Sequence, residues 1–297
     1  MYNDFKKSGI IHKIIQTKIK ENYHEFKTAL DITTFIEENI NTLTKYDKNN
    51  PLKAGIAFPV GISINDVAAH FTPSLNNNPH LNNDDIIKID FGVHINGCIT
   101  DGAFSWCPSS KYNSLIDIST GATNLAIKNS GPDAILGDIG EIIQEYIESK
   151  EIFIDNKIYK IKSIYDLCGH NIAPYIIHVN KAVPNIKINY KERMLEGEIF
   201  AIETFPTTGD GLIYETDECN HYMIESKNVN NFSNNKILNK IFQNRSTLAF
   251  CPRWFDFKIP ESNYITKYPV LKTKDKSMVA QYEKTIYIKN NGINIIN

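Results

Sequence analysis

Two aspartates interrupt an otherwise apolar pair of strands in the first half of the chain. The stretch IDFGVHINGCITD contains an Asn96-Gly97 pair, which predicts a two-residue hairpin turn. In that register Gly92 faces Asp101, so Asp90 and Asp101 project from the same face of the hairpin as diagonal neighbours. The alternate residues on the opposite face are apolar and are expected to point into a core: Ile89, Phe91, Val93 and Ile95.

Placing the two carboxylates close together is electrostatically unfavourable unless something compensates their charge. Without a cation between them they repel each other, and one of them would have to stay protonated. A divalent metal ion removes this cost and uses both carboxylates as ligands. The alternative is a pair of solvated acids on an exposed face of the sheet, and the hairpin alone leaves both interpretations open.

Three later segments carry further side chains of the kinds that bind metals. DLCGHNIAPYIIH contains His170 and His178, GEIFAIETF places Glu203 in an apolar strand pattern, and MVAQYEKTIYI does the same with Glu283. A carboxylate among apolar strand residues is costly to bury without a partner. Each residue alone could be a charge on an edge strand. Together, an Asp, Asp, His, Glu, Glu set indicates a hard, oxygen-rich site suited to two divalent ions.

The elements that must position these residues are helices and short strands in alternation. Amphipathic helices are predicted near residues 4–20 and 30–46, and Asp31 is the expected cap of the second helix. Short strands and turns are predicted for residues 54–73 and for about 164–215. This order favours an α+β fold over separate all-helical or all-strand domains.

One domain is expected to span residues 1–297, with a helical subdomain inserted at about 220–267. A helical stripe and a compact aromatic cluster distinguish that segment from its surroundings. The helical patterns before it break at Gly131-Pro132, and strand alternation returns at residues 278–289. No linker and no internal repeat divides the chain.

Composition excludes several classes of function. The chain has 297 residues, with 32 basic and 34 acidic side chains and a net charge of −2, so direct binding of nucleic acid is not expected. The start lacks the apolar centre of a signal peptide, and no apolar run reaches membrane-spanning length. Five cysteines without paired spacing are typical of a reduced compartment. We expect a cytoplasmic monomer that does not bind membranes.

The motifs resemble those of the methionine aminopeptidases, a family of pita-bread metallopeptidases, and among them the type 2 branch. The resemblance runs from about residue 4 to 290. It rests on AGIAFPVGISINDVAAHFTP, IIKIDFGVHINGCITDGAF, GHNIAPYIIHVNKAVP, GEIFAIETFPTTGDG, ECNHYM, TLAFCPRWFD and AQYEKTI. It implies a pita-bread fold with a type 2 helical insertion. It also implies removal of initiator methionine from nascent polypeptides, preferably before a small second residue, and possible proximity to the ribosome.

The resemblance also assigns roles to single residues. Two divalent ions (Mn, Co, Fe or Zn) would be bound by Asp90, Asp101, His170, Glu203 and Glu283, with Asp101 and Glu283 bridging them. Glu203 would also carry a proton, His178 would polarise the scissile carbonyl, and His70 would orient the scissile amide. Outside the resemblance, His70 reads as a core histidine. The methionine pocket or its rim would be formed by Phe58, Ile177, His221, Tyr268 and Leu271. Of the other histidines, His94 is expected at the rim of the site rather than as a ligand, and three are expected at the surface: His12, His24 and His80.

Two alternatives stay open. A prolidase-like or aminopeptidase P-like enzyme would share the five ligands, and a non-catalytic binding protein could use the same scaffold. The helical insertion and the motif around His70 favour methionine removal, and the intact ligands speak against a binding protein. Cys168 departs from the family's usual Asn, and we expect it to alter packing behind His170. A trimmed insertion and the lack of a charged amino-terminal extension are also expected, and both bear on ribosome association.

Overall fold

The protein is described by a computed structural model for residues 1–225 and 235–297. The described α-helices are α1 (Tyr2–Glu21), α2 (Ala29–Thr44), α3 (Asn113–Lys128), α4 (Leu136–Glu148) and α5 (Lys236–Arg245). The first nine strands are β1 (Ala54–Ile56), β2 (Gly61–Ile64), β3 (Val67–Ala69), β4 (Ile87–Asp90), β5 (Val93–Ile95), β6 (Cys98–Thr100), β7 (Ala103–Trp106), β8 (Glu151–Ile154) and β9 (Lys157–Lys160). The other nine are β10 (Lys162–Ser163), β11 (Cys168–Ile172), β12 (Ala182–Pro184), β13 (Ile199–Thr204), β14 (Pro206–Thr207), β15 (Ile213–Ile224), β16 (Ile265–Thr273), β17 (Tyr282–Lys289) and β18 (Gly292–Ile295).

The start of α2 shows how local sequence sets an element. Thr28, not Asp31, is the cap of this helix, so that prediction was wrong by three residues. The backbone N–H of Asp31 donates to Thr28 Oγ1 at 3.2 Å, and the backbone N–H of Thr28 donates to Asp31 Oδ2 at 2.8 Å. This reciprocal pair is a capping box, which satisfies two amides that the first turn of a helix leaves without partners.

The hairpin predicted around Asn96-Gly97 is confirmed. Both turn residues have positive φ, 50° and 77°, as the tight turn that matches strand twist requires. Ile95 pairs with Cys98, and the same register continues outward until Asp90 pairs with Ala103. The hairpin therefore supplies four strands: β4 and β7 join β2 in one antiparallel sheet, while β5 and β6 join β1 in another. Helices α1 and α2 pack beside these sheets over a core of isoleucine, valine and phenylalanine.

A five-stranded antiparallel sheet forms the other half of the scaffold. Its strand order is β12-β11-β13-β17-β18, and α3 and α4 pack against it. Strand β17 also contacts β7 of the hairpin, which brings the two halves together. Helices on antiparallel sheets confirm the α+β prediction, and the break between α3 and α4 falls at Gly131-Pro132 as predicted.

The segment predicted as a helical subdomain is only partly described. Residues 220–224 end β15 and residues 265–267 begin β16, so the edges of the predicted segment lie in paired strands. Between them the structure describes α5 and a short 3₁₀ turn at Pro252–Trp254. Residues 226–234 lie outside the described residues. A helical subdomain here stays a prediction.

Two further expectations concern surface and core. His24 and His80 are exposed as predicted, but His12 is only 1% exposed, so its assignment to the surface was wrong. It lies on α1 among backbone carbonyls of the hairpin, which the helical pattern of α1 could not reveal. None of the described helices combines the length and apolar character needed to span a bilayer.

Candidate metal centre and active site

All five residues predicted as metal ligands line one cavity of about 390 Å³. Asp90 ends β4, and Asp101 lies between β6 and β7. The hairpin register places both aspartate side chains on the same face. His170, Glu203 and Glu283 come from β11, β13 and β17, which are neighbours in the five-stranded sheet. The cavity lies where the two halves of the scaffold meet.

Strand pairing brings the last three residues together. Glu203 pairs directly with Glu283, and His170 pairs with Ala201, two residues from Glu203 on the same face. The Nε2 atom of His170 lies 3.5 Å from Asp101 Oδ2 and 3.8 Å from Glu203 Oε1. Ligand atoms of Asp101, His170 and Glu283 all lie within 4.8 Å of one another. A single ion could contact all three.

The four carboxylates are packed at high electrostatic cost. Burial raises the pKa of Asp90 to about 7, and burial together with the neighbouring acids raises the pKa of Asp101, Glu203 and Glu283 well above the ordinary range. In the described residues, no lysine or arginine pairs with any of these acids. The imidazole of His170 does not compensate them, because burial and neighbouring His178 lower its pKa well below 6.5.

The donor set fits a divalent cation. Two buried carboxylate atoms of the cluster, Asp90 Oδ1 and Asp101 Oδ1, have no hydrogen-bond partner among the described residues. Buried polar atoms without partners are rare, and a bound ion is one of the standard reasons for them. Carboxylate oxygens with one imidazole suit Mn, Fe, Co or Zn. A cation among them would compensate the negative charges that otherwise repel one another.

Gln281 belongs to the cluster and was missed in the sequence. Its side-chain amide donates to Asp90 Oδ2 at 3.2 Å and lies 3.5 Å from Glu203 Oε2. Its backbone N–H is held by Ser105 Oγ at 2.8 Å. The signal that could have revealed it is its position two residues before Glu283, on the same face in strand alternation.

Three neutral histidines form one wall of the cavity. His70, His178 and His221 all line it. Burial lowers the pKa of His221 to about 3, and the protein atoms around the ring of His178 lower its pKa as well, although that residue is exposed. His70 has φ of 68°, a backbone conformation that non-glycine residues seldom adopt outside functional or tight-turn positions. The ring of His178 lies edge-on to that of His170, with 4.2 Å between centroids.

In His70 and His221, hydrogen bonds to backbone carbonyls determine which ring nitrogen carries the proton. A carbonyl can only accept, so His70 donates from Nδ1 to Pro269 O at 3.2 Å and His221 donates from Nε2 to Pro59 O at 3.1 Å. The Nε2 of His70 is therefore an acceptor. The structure thus opposes the interpretation of His70 as a plain core histidine, because its side chain lines the cavity.

The apolar part of the cavity contains most of the predicted methionine pocket. Phe58, Ile177 and Tyr268 line it, together with two residues the sequence analysis did not name, Met223 and Ala249. Leu271 is not among the lining residues. It pairs with Ala69, which does line the cavity, and packs against a small core behind it.

Cys168 faces the cavity, whereas the expectation placed it in the packing behind His170. It begins β11 two residues before His170, so strand alternation turns both side chains to the same face. Burial raises the pKa of its thiol to about 11, and the charge of Glu203 acts in the same direction. The side chain is therefore a neutral thiol at neutral pH.

Arg245 links α5 to the apolar wall. Its guanidinium is buried and donates to Ile56 O, Ala57 O and Ala249 O at 2.9, 3.0 and 2.8 Å. Two of these carbonyls directly precede Phe58 in the chain. Arg245 thus ties the helix to the backbone that presents the pocket residues.

Arg245→Met is expected to lower the free energy of unfolding by about 2–4 kcal/mol, because three buried carbonyls lose a charged donor. Denaturant unfolding would measure this loss. Lys48→Met, at an exposed position, is the control and should change stability by less than about 0.5 kcal/mol. Unchanged stability of Arg245→Met would contradict the anchoring role.

Comparison with known proteins decides the family. The model of metallopeptidase family M24 matches residues 3–290. The chain belongs to metallopeptidase family M24. It is 39% identical to methionine aminopeptidase 2 of Yarrowia lipolytica over 97% of this chain and 64% of that protein. It is 40% identical to methionine aminopeptidase 2-1 of Fusarium vanettenii over 96% of this chain and 68% of that protein. The predicted likeness to type 2 methionine aminopeptidases is confirmed.

Solved structures support the predicted pita-bread fold. Methionine aminopeptidases from Thermotoga maritima and Rickettsia prowazekii superpose with TM-scores of 0.68 and 0.69 over 99% of this chain, and over 95% and 96% of theirs. Both are 20% identical, so they establish the fold alone. Prolidase from Pyrococcus furiosus shares the fold at a TM-score of 0.60, 13% identity, and coverage of 99% of this chain and 63% of its own. The chain spans 64% to 68% of the first curated relatives it matches.

Proposed function

We propose that this enzyme hydrolyses amino-terminal methionine from new polypeptides, using two divalent ions held by Asp90, Asp101, His170, Glu203 and Glu283. The observation that carries the proposal is the meeting, in one cavity, of this ligand set with an apolar wall suited to methionine. The 37–40% identity to proteins named methionine aminopeptidase 2 supports it further. Bound ions would supply Lewis-acid chemistry, activating a water molecule, polarising the scissile carbonyl and binding the free amine.

Glu203 is the proton carrier in this proposal. It lines the cavity among the ligands, and burial with the charges of Asp101 and Asp90 raises its pKa. A carboxylate in this position takes a proton from the attacking water and delivers it to the leaving amine. The side-chain amide of Gln281 donates a hydrogen bond of 3.5 Å to Glu203 Oε2. This bond limits rotation of the Glu203 carboxylate.

In this proposal His178 and His70 act on the substrate as neutral groups. Desolvation by the surrounding protein lowers the pKa of His178, so its neutral ring donates one hydrogen bond to the carbonyl oxygen as negative charge develops there. His70 presents an accepting Nε2, because its Nδ1 proton is bound to Pro269 O. It therefore receives the N–H of the scissile amide and aligns that bond with the ligand cluster.

The apolar wall supplies recognition of the first residue. Phe58, Ile177, Met223 and Tyr268 offer aromatic and aliphatic surface to an unbranched thioether side chain. Burial of a methionine side chain contributes about 1.5–3 kcal/mol to binding. This is enough to separate methionine from small or charged first residues.

The test is a comparison of peptides that differ only at the second residue. With Mn²⁺-loaded enzyme, Met-Ala-Ser is expected to be cleaved with kcat/KM at least about 100-fold above Met-Lys-Ser, because the site beyond the scissile bond is confined. An Ala-Pro dipeptide serves as the prolidase control and should not be cleaved. Preferred cleavage of Ala-Pro would favour the prolidase alternative. Failure to cleave any peptide while binding Mn²⁺ would favour the non-catalytic alternative.

We further propose that the enzyme acts in the cytoplasm, as a monomer, near ribosomes that release its substrates. All five cysteines are free thiols, which agrees with a reducing compartment. Five candidate ligands would hold two ions rather than one, as the resemblance to the type 2 methionine aminopeptidases implies. Calorimetric titration of the metal-free protein, which counts bound ions, tests that number.

A further inference from the structure

His12 lies under the hairpin that carries the two aspartates. Its side chain is buried, and Nε2 lies 3.1 Å from Phe91 O and 3.2 Å from Gly102 O. These carbonyls belong to the residues that directly follow Asp90 and Asp101. The ring also stacks on Phe91, with 4.0 Å between centroids and 4° between planes. One side chain of α1 thus contacts the backbone beside both acids.

The hydrogen bonds determine the form of this ring. Carbonyl oxygens only accept, so Nε2 carries the proton and shares it between Phe91 O and Gly102 O. The opposite nitrogen, Nδ1, faces Asn297 Nδ2 at 3.4 Å and acts as the acceptor. Burial lowers the pKa of His12 to about 3, which keeps the ring neutral and both nitrogens in these roles.

Asn297 connects His12 to Asp101. The carbonyl of Asp101 accepts from Asn297 Nδ2 at 2.8 Å and from Thr285 Oγ1 at 2.7 Å. The backbone N–H of Asp101 donates to Thr285 Oγ1 at 2.8 Å, and the N–H of Thr285 donates to Asn297 Oδ1 at 2.8 Å. Thr285 therefore holds the backbone of Asp101 on both sides, and Asn297, which also contacts His12, holds its carbonyl.

The packing beside this network leaves no free space. A Cβ atom at Gly102 would come within 2.1 Å of Asn297 Nδ2 and 2.8 Å of His12 Cε1. Gly102, which directly follows Asp101, is therefore packed closely against both His12 and Asn297. The distances between a metal ion and its ligand atoms in a sound site lie within about 0.2 Å of their usual values. The spacing of the two carboxylates therefore determines how well both can bind the metal ions.

We propose that His12, oriented by Asn297, is a positioning residue of the metal centre that fixes the spacing of Asp90 and Asp101 and so sets affinity for divalent ions. It touches neither ligand side chain, and its action is through the backbone of Phe91 and Gly102. This inference rests on the proposed metal centre. The competing explanation is packing alone, in which His12 stabilises the fold without affecting metal affinity.

The experiment is calorimetric titration of the metal-free protein with Mn²⁺ alone. His12→Phe keeps a ring that can stack on Phe91 but removes the donated hydrogen bond, and leaves Phe91 O without a partner. The expected result is a Kd for Mn²⁺ weaker by about 10–100-fold, the usual effect of losing a group that orients metal ligands. Activity should recover toward the wild-type level at saturating Mn²⁺, because no ligand is lost.

Ile19→Ala is the matched control for loss of stability. Ile19 is buried on the same helix and makes only apolar contacts, so its truncation should lower Tm while leaving the Kd within about two-fold of wild type. His12→Gln keeps an amide donor and should bind Mn²⁺ more tightly than His12→Phe. If His12→Phe does not fold, Asn297→Ala is titrated instead, and weaker binding is again expected.

The outcomes separate the two proposals. Wild-type Kd in His12→Phe or in Asn297→Ala, or equal weakening by Ile19→Ala, would overturn the positioning role. A His12→Gln protein that binds no better than His12→Phe would also overturn it, since the donated hydrogen bond would then be irrelevant. Absence of Mn²⁺ binding by the wild-type protein would overturn the proposed metal centre itself.

Discussion

Glu203→Gln is expected to lower kcat for Met-Ala-Ser by about 10²–10⁴-fold, the range that general acid–base groups contribute. The amide keeps the size and the strand pairing of the side chain but cannot accept the proton of the attacking water. Glu203 pairs with Glu283 at the centre of the sheet, so the substitution should leave the backbone unchanged. The measurement is steady-state kinetics at saturating Mn²⁺, which separates lost proton transfer from weakened metal binding.

The control for this substitution is Glu196→Gln. Glu196 is an exposed acid in the turn before β13 and does not line the cavity, so its kcat should equal that of the wild type. Wild-type turnover in Glu203→Gln would remove Glu203 from the proposed chemistry. A fall in kcat that disappears at higher Mn²⁺ would reduce its role to that of a ligand.

The hairpin is the part of the site that the sequence alone could predict. The Asn96-Gly97 turn is local, and a two-residue turn fixes the register of every pair beyond it. Asp90 and Asp101 therefore lie on one face for a reason confined to about a dozen residues. The break between α3 and α4 was predictable for the same reason, since Gly131-Pro132 acts locally.

The convergence of the other ligands could not be obtained from local pattern. Strands β11, β13 and β17 carry His170, Glu203 and Glu283 and are far apart in sequence, so their order in the sheet depends on tertiary packing. The motif resemblance supplied that grouping, and periodicity showed only that each residue was costly to bury. The residues missed were those whose partners lie far along the chain.

His12 and Gln281 illustrate that limit. A polar residue on an amphipathic helix reads as exposed, and only the carbonyls 79 and 90 residues away make burial of His12 favourable. Gln281 bonds to Asp90 across 191 residues. Leu271 is the opposite case. Motif matching placed it at the methionine pocket or its rim, but it does not line the cavity, whereas its strand partner Ala69 does.

Glu283→Gln is expected to abolish high-affinity metal binding and, at the same time, to make the metal-free protein more stable near neutral pH. Burial and the charges of Asp101, Glu203 and Asp90 raise the pKa of Glu283 well above its ordinary value. The folded protein therefore holds a proton that the unfolded chain releases, which favours unfolding as pH rises. Removing the titrating group removes this cost, so metal-free Glu283→Gln should have a higher free energy of unfolding than the metal-free wild type at neutral pH.

The pH dependence gives the sign of this effect. Below the pKa of an unfolded glutamate, both states of the chain are protonated, so the gain should vanish near about pH 4 and grow as pH rises toward the folded pKa. Denaturant unfolding of metal-free wild type and Glu283→Gln at several pH values measures it, with Glu151→Gln, an exposed strand acid, as the control. A stability loss at neutral pH would show that Glu283 is compensated within the metal-free protein. The opposite effects on stability and on Mn²⁺ affinity would show that this cluster is maintained for the ion and not for the fold.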